Sequence, residues 1–126
     1  MIKELFYQTE KIVFPADTQA RTYRNEIILD SSYERCVGIA VIESQTGGIP
    51  VYRLGLEDKD KMIISTVHKS FLMSDKAAGL KLDNRALPLN IKAGGHKVKI
   101  ITDIPVLLTA ELEYDVVFIL ERSEQQ

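Results

Sequence analysis

Residues 109–122, TAELEYDVVFILER, alternate with a period of two. Ala110, Leu112, Tyr114, Val116, Phe118 and Leu120 fall on one side, and Glu111, Glu113, Asp115, Val117, Ile119 and Glu121 fall on the other. Side chains of an extended strand point alternately to opposite faces, so the pattern predicts one long strand with a continuous apolar stripe and a reverse face that begins acidic. A helix would place the β-branched and aromatic run YDVVFIL poorly. A strand of this kind has to lay one whole face against a core, which sets the architecture for the rest of the chain.

The alternation recurs in HKVKIITDI, where Val98, Ile100, Thr102 and Ile104 oppose Lys97, Lys99, Ile101 and Asp103. ERCVGIAVIES is apolar on both faces from Cys36 to Ile42 and predicts a central strand covered on both sides. EKIVF, NEIILD, IPVYRLGLE and KMIISTVHKSFLM add further strands, the last with an ambiguous phase. In RALPLNIKA, Pro88 marks an edge, a bulge or the beginning of a strand. Turn residues separate these runs at Pro15-Ala16-Asp17, Asp30-Ser31-Ser32, Gly47-Gly48, Asp58-Lys59-Asp60, Asp83-Asn84 and Gly94-Gly95. One helical turn fits MSDKAAGLK, with Ser74 as cap and Gly79 as stop. About eight strands with at most one short helical turn predict an all-β fold, an antiparallel β-sandwich. Residues 1–24 are the least regular and are expected as an arm or first strand packing on the domain or a neighbour. Residues 25–122 are expected to form the sandwich, and 123–126 a polar tail.

At 126 residues the chain is expected to be one domain. A domain of that length buries roughly two-thirds of the surface of its unfolded chain, enough to stand without a disulfide or metal. Cys36 is the only cysteine, which excludes an intrachain disulfide and a cysteine-based zinc cluster and fits a reducing compartment. The opening MIKELFYQTEKIVF is interrupted by Lys3, Glu4, Gln8, Glu10 and Lys11, so it lacks the apolar core of a signal peptide. No apolar run approaches the ~20 residues of a membrane helix. The expectation is a cytoplasmic chain with no membrane partner. A net charge of -2 gives no strong overall attraction to nucleic acid.

The most chemically suggestive stretch is NIKAGGHKVKI. A phosphate loop needs its glycines between a strand and a helix, whereas the segment after Gly94-Gly95 reads as a strand. Glycines between alternating runs fit a tight hairpin instead, because positive φ angles cost glycine little. His96 and His68, the two histidines, would both be needed for a zinc site, together with a carboxylate. Without a ligand spacing, His96 reads as an exposed strand-start residue and His68 as a half-buried strand residue. Cys36 reads as a buried structural thiol, and Ser65, Ser70 and Ser74 lie in no nucleophile motif. Glu111, Glu113 and Asp115 could line one face for calcium or acid chemistry. The simpler account is a solvated face, or cross-strand pairing with Lys97 and Lys99 if those strands pair or share a face. No catalytic residue, cofactor or metal is implied.

Lys92, His96, Lys97 and Lys99 form a basic cluster, loosely joined by Lys76 and Lys81, with no aromatic residue between Phe71 and Tyr114 to stack on bases. The cluster fits an acidic surface on a protein partner better than nucleic acid, and no sequence-specific nucleic-acid binding is expected. Tyr23, Tyr33 and Tyr52 are the residues on which an alternative, a glycan- or ligand-binding sandwich module, would rest.

CVGIAVIES in the centre and GGHKVKIITDIPVLLTAELEYDVVFILER near the end, behind an irregular opening segment, give a layout of strands and turns. It resembles that of small jelly-roll-like virion proteins of bacteriophages, particularly those of Bacteroidetes hosts. The resemblance implies a non-enzymatic assembly component, such as a capsid-associated, vertex or head-decoration protein, found in the virion and assembled in the host cytoplasm. Its implied partners are further copies of itself and other virion proteins. The contact regions expected on this reading are Ile2 to Arg24 with Tyr23, the turn at Gly47-Gly48, and the basic turn from Lys92 to Lys99 with His96 and Lys97.

Overall fold

The computed structural model describes residues 3–43, 52–59, 61–68 and 87–123. Eight strands run through them: β1 (Lys3–Phe14), β2 (Arg21–Ile28), β3 (Arg35–Ile42), β4 (Arg53–Asp58), β5 (Lys61–His68), β6 (Leu87–Lys92), β7 (Lys97–Ile104) and β8 (Leu112–Ser123). There is no helix among the described residues. The helical turn expected within 73–81 and the turns at Gly47-Gly48 and Asp83-Asn84 lie outside them.

β1 pairs with β8, β2 with β7, β3 with β6 and β4 with β5, all antiparallel. The chain is thus one long hairpin with its tip between β4 and β5, in which each outgoing strand meets its counterpart on the return. Folding this ribbon over on itself adds β3–β8 and β4–β7 pairings. Two four-stranded sheets result, ordered β1-β8-β3-β6 and β2-β7-β4-β5. This is the jelly-roll form of the β-sandwich that the alternation predicts.

The two inner faces make the core. On β8, Leu112, Tyr114, Val116, Phe118 and Leu120 are fully buried, and they face Val98, Ile100 and Ile104 of β7 with Leu54 and Leu56 of β4 in one apolar cluster. The Tyr52 ring stacks on Tyr114 at 5.2 Å. The Tyr114 hydroxyl finds a partner in Thr102, the buried polar residue of β7, so neither group is stranded without a hydrogen bond. The reverse face of sheet β1-β8-β3-β6 is also closed at its centre. Val117 and Ile119 are each 3% exposed and lie opposite Ala40 and Gly38, which are buried as well. The two-sided burial expected of β3 is found there.

Gly94-Gly95 makes a tight turn, but the hairpin expected at that place is not formed. β6 and β7 belong to different sheets. The turn is the inner bend where the paired ribbon crosses from one sheet to the other. On one side of the bend the Ala93 amide donates to the Glu34 carbonyl at 3.0 Å. On the other side the Leu29 amide donates to His96 at 2.9 Å. The outer bend between those contacts takes residues 30–33, and the inner bend only Gly94 and Gly95. Both glycines adopt positive φ, 63° and 81°, and the His96 amide closes the turn on Ala93 at 3.2 Å.

The ambiguous phase of KMIISTVH has a cause in the sheet. β5 slips its register against β4 twice, between Leu54 and Leu56 and between Leu56 and Glu57, so no single alternation can describe it. Pro88 sits on edge strand β6, near its start and beside a further register shift against β3, where a missing N–H costs little.

A Cβ at Gly95 would meet nothing closer than the Ser31 Cβ at 4.0 Å, so the need for glycine there is conformational rather than steric. Gly95→Ala is expected to lower the unfolding free energy by about 1–2 kcal/mol in urea titration. Unchanged stability would contradict the turn geometry.

Candidate interaction surface

Each sheet has two edge strands, and the four edges are not alike. β5 is broken by its two register slips, and β6 is six residues long and carries Pro88 and a shift. Such features keep an edge from templating another chain. β2 is regular, but a side chain from the opposite sheet closes its end. The Gln8 amide donates to the Ile28 carbonyl at 3.0 Å and its Oε1 accepts from the Asp30 amide at 2.9 Å, doing there what a neighbouring strand would do. β1 has none of these devices. It holds one register with β8 through all its residues, Lys3 opposite Ser123 to Phe14 opposite Leu112, with no bulge and no proline.

The first half of β1 also presents apolar side chains to solvent. Leu5, Phe6 and Tyr7 are 43%, 37% and 42% exposed. Burial of Ile12 and Phe14 marks the even-numbered face as inward, so Leu5 and Tyr7 point to the outer face and Phe6 to the rim of the core. Phe6 is held in place: its ring stacks on Tyr33 at 5.1 Å and 8°. The Arg122 guanidinium lies 5.0 Å from the Tyr33 ring centre, and the Glu4 carboxylate grips it through Nε at 2.9 Å and Nη2 at 2.8 Å. The span expected as an irregular arm or first strand therefore includes a fully paired strand whose outer edge is regular and greasy. Sequence reasoning missed this edge because the period-two signal in KELFYQT is masked by apolar residues on both faces.

The residues singled out in the sequence do not converge. Lys92 ends β6 in one sheet, while Lys97 and Lys99 lie on the outer face of the other. Lys99 stands between Glu26 of β2 and Glu57 of β4 in register, and Lys97 lies 3.7 Å from Glu26. The basic cluster is thus interleaved with acids contributed by neighbouring strands. Nor do the lysines of β7 meet the acidic stripe of β8, because those strands occupy different sheets. Glu113 pairs instead with Lys11 of β1 at 2.7 Å. His96 is not an exposed strand-start residue. It is partly buried, with Nε2 2.5 Å from Asp58, and this contact fastens the β6–β7 turn to the β4–β5 tip. His68 ends β5 at the opposite end of the sheet, and its side chain lies outside the described residues. Among the described residues no three potential ligands cluster for a metal.

The three tyrosines make no common platform. Tyr23 fastens the β1–β2 corner, tilting on Phe14 and donating to the Gln19 carbonyl at 2.8 Å. Tyr33 is in the β2–β3 connection at the other end of the sandwich. Tyr52 is fully buried and donates to Glu43 at 3.0 Å. Gly47 and Gly48 lie outside the described residues, as do Ser70 and Ser74.

Cys36 is the buried thiol expected, with Sγ 3.5 Å from the Gly38 carbonyl. Burial pushes its pKa from 9.0 up to about 11. Burial likewise raises Tyr52, with Glu43 adding to the shift, and raises Tyr114 against an opposing hydrogen bond from Thr102. A folded pKa above the unfolded value favours the neutral group in the fold. The resulting stability is complete below pH 9.0 and falls as pH rises toward about 11. Thermal unfolding is expected to shift downward across that window. In the folded protein below it, the thiol is expected to resist alkylation. Rapid labelling of the folded chain at neutral pH would contradict the burial.

Comparison with protein-family models, with curated proteins and with solved structures gave no match.

Proposed function

We propose that this chain is a non-enzymatic assembly protein that works through protein–protein contacts. The observation that carries the reading is the β1 edge: a long, regular strand that pairs on one side only among the described residues, with exposed Leu5, Phe6 and Tyr7. Sheet edges of this kind bind other chains by strand addition, the backbone giving affinity and the flanking side chains specificity. The acid–base interleaving on the other sheet's outer face supports a structural role for its charges.

The setting we propose is a phage particle, on the resemblance of the strand layout to jelly-roll-like virion proteins, with copies of the chain and other virion proteins as partners. Copies on a symmetric shell repeat one contact many times, which suits a small domain with one adhesive edge. Sedimentation of particles from the source culture, followed by identification of their chains, tests this reading. The chain is expected to travel with the particles at a fixed stoichiometry. A strict monomer that enters no particle would contradict it.

A further inference from the structure

We propose that two copies of the chain join through β1, antiparallel, about a two-fold axis at Phe6, so that two four-stranded sheets run on as one. This deepens the assembly reading and rests on it.

The register follows from geometry and charge. A two-fold axis normal to a sheet keeps each residue on its own face, so facing residues share parity and the axis must run midway between two copies of one residue. Centred on Tyr7, Lys3 would face Lys11 and Glu4 would face Glu10, two like-charge pairs, each occurring twice. Centred on Gln8, Leu5 would face Lys11 and Phe6 would face Glu10. Centred on Leu5, Tyr7 would face Lys3 and Phe6 would face Glu4, and centred on Thr9, Tyr7 would face Lys11. Centred on Phe6, no such mismatch falls among the described residues. Leu5 faces Tyr7 twice on the outer face, Phe6 faces itself on the inner, Glu4 faces Gln8 and Lys3 faces Thr9. Leu5, Phe6 and Tyr7 then meet apolar residues and no like charges oppose, while exposed Val13 lies beyond the paired span. The strand complements itself, which singles out a second copy as the partner. The unbroken β1–β8 register keeps the edge straight for it, and the Tyr33 stack holds Phe6 ready.

Light scattering and sedimentation equilibrium on the full chain over a range of concentrations are expected to show a species of twice the 14.2 kDa chain mass. Leu5→Lys with Tyr7→Lys puts lysine opposite lysine twice and is expected to weaken self-association at least about tenfold. Leu5→Lys with Tyr7→Glu makes the same contacts attractive and is expected to bind at least about tenfold more tightly than the double lysine. Phe6→Cys is expected to cross-link into a dimer on oxidation, with buried Cys36 standing aside. Melting curves by circular dichroism establish that each variant folds. A chain that stays monomeric at every concentration, equal behaviour of the two double variants, or a Phe6→Cys variant that does not cross-link would overturn the pairing. Particles that accept the double-lysine chain undiminished would also overturn it and leave the assembly reading standing. Absence of the natural chain from particles would count against that reading itself.

Discussion

β8 is the strand on which the rest depends. It pairs with β1 along one side and with β3 along the other, so one 12-residue segment holds the chain's beginning, middle and end in a single sheet. Its inward residues, Leu112 to Leu120 at alternate positions, are fully buried, and two outward ones, Val117 and Ile119, are nearly so. Each fully buried apolar side chain of this size is worth about 1.5–3 kcal/mol, so this strand anchors the core more than any local turn does. The contacts it makes are mostly remote in sequence: Glu4 of β1 meets Arg122 of β8 across almost the whole chain. A fold closed by such pairings forms late contacts at high entropic cost and is expected to fold slowly for its size.

Closing the sandwich this way leaves four edges, and the sequence treats them unequally. Register slips spoil β5, a proline and a slip spoil β6, and the Gln8 amide occupies the end of β2. Breaking two edges, capping a third at one end and leaving the fourth regular, with apolar side chains on it, is a costly arrangement for a chain that stays alone, since such a strand invites pairing. The same arrangement is economical for a chain that meets its partners in one direction. The outer face of the β2-β7-β4-β5 sheet mixes charges with the exposed Ile28 and Met62, and Lys99 stands there between Glu26 and Glu57.

Most of the architecture was legible in the sequence because period-two alternation reports directly on a strand with one buried face. β8 and β7 were readable residue by residue, and Cys36 was rightly placed inside. Strand order was not legible, since alternation says which face is buried but nothing about which strand is adjacent. That is why Gly94-Gly95 reads as a hairpin and is in fact a corner, and why the conditional pairing of Lys97 and Lys99 with the acids of β8 gives way to Glu26 and Glu57 beside Lys99. His96 was misjudged for a related reason: its partner, Asp58, comes from a turn 38 positions away and only the fold brings them together. The β1 edge escaped notice because its significance lies in contrast with three other edges, and edges exist only once the order is known.

The central claim is that β1 is the adhesive edge, and hydrogen exchange on the unmodified chain at low and high concentration addresses it without perturbing the fold. Amides in the first half of β1 are expected to gain protection as concentration rises, while those of β5 and β6 exchange at unchanged rates. Protection of β1 that does not depend on concentration, or a gain confined to another edge, would contradict it.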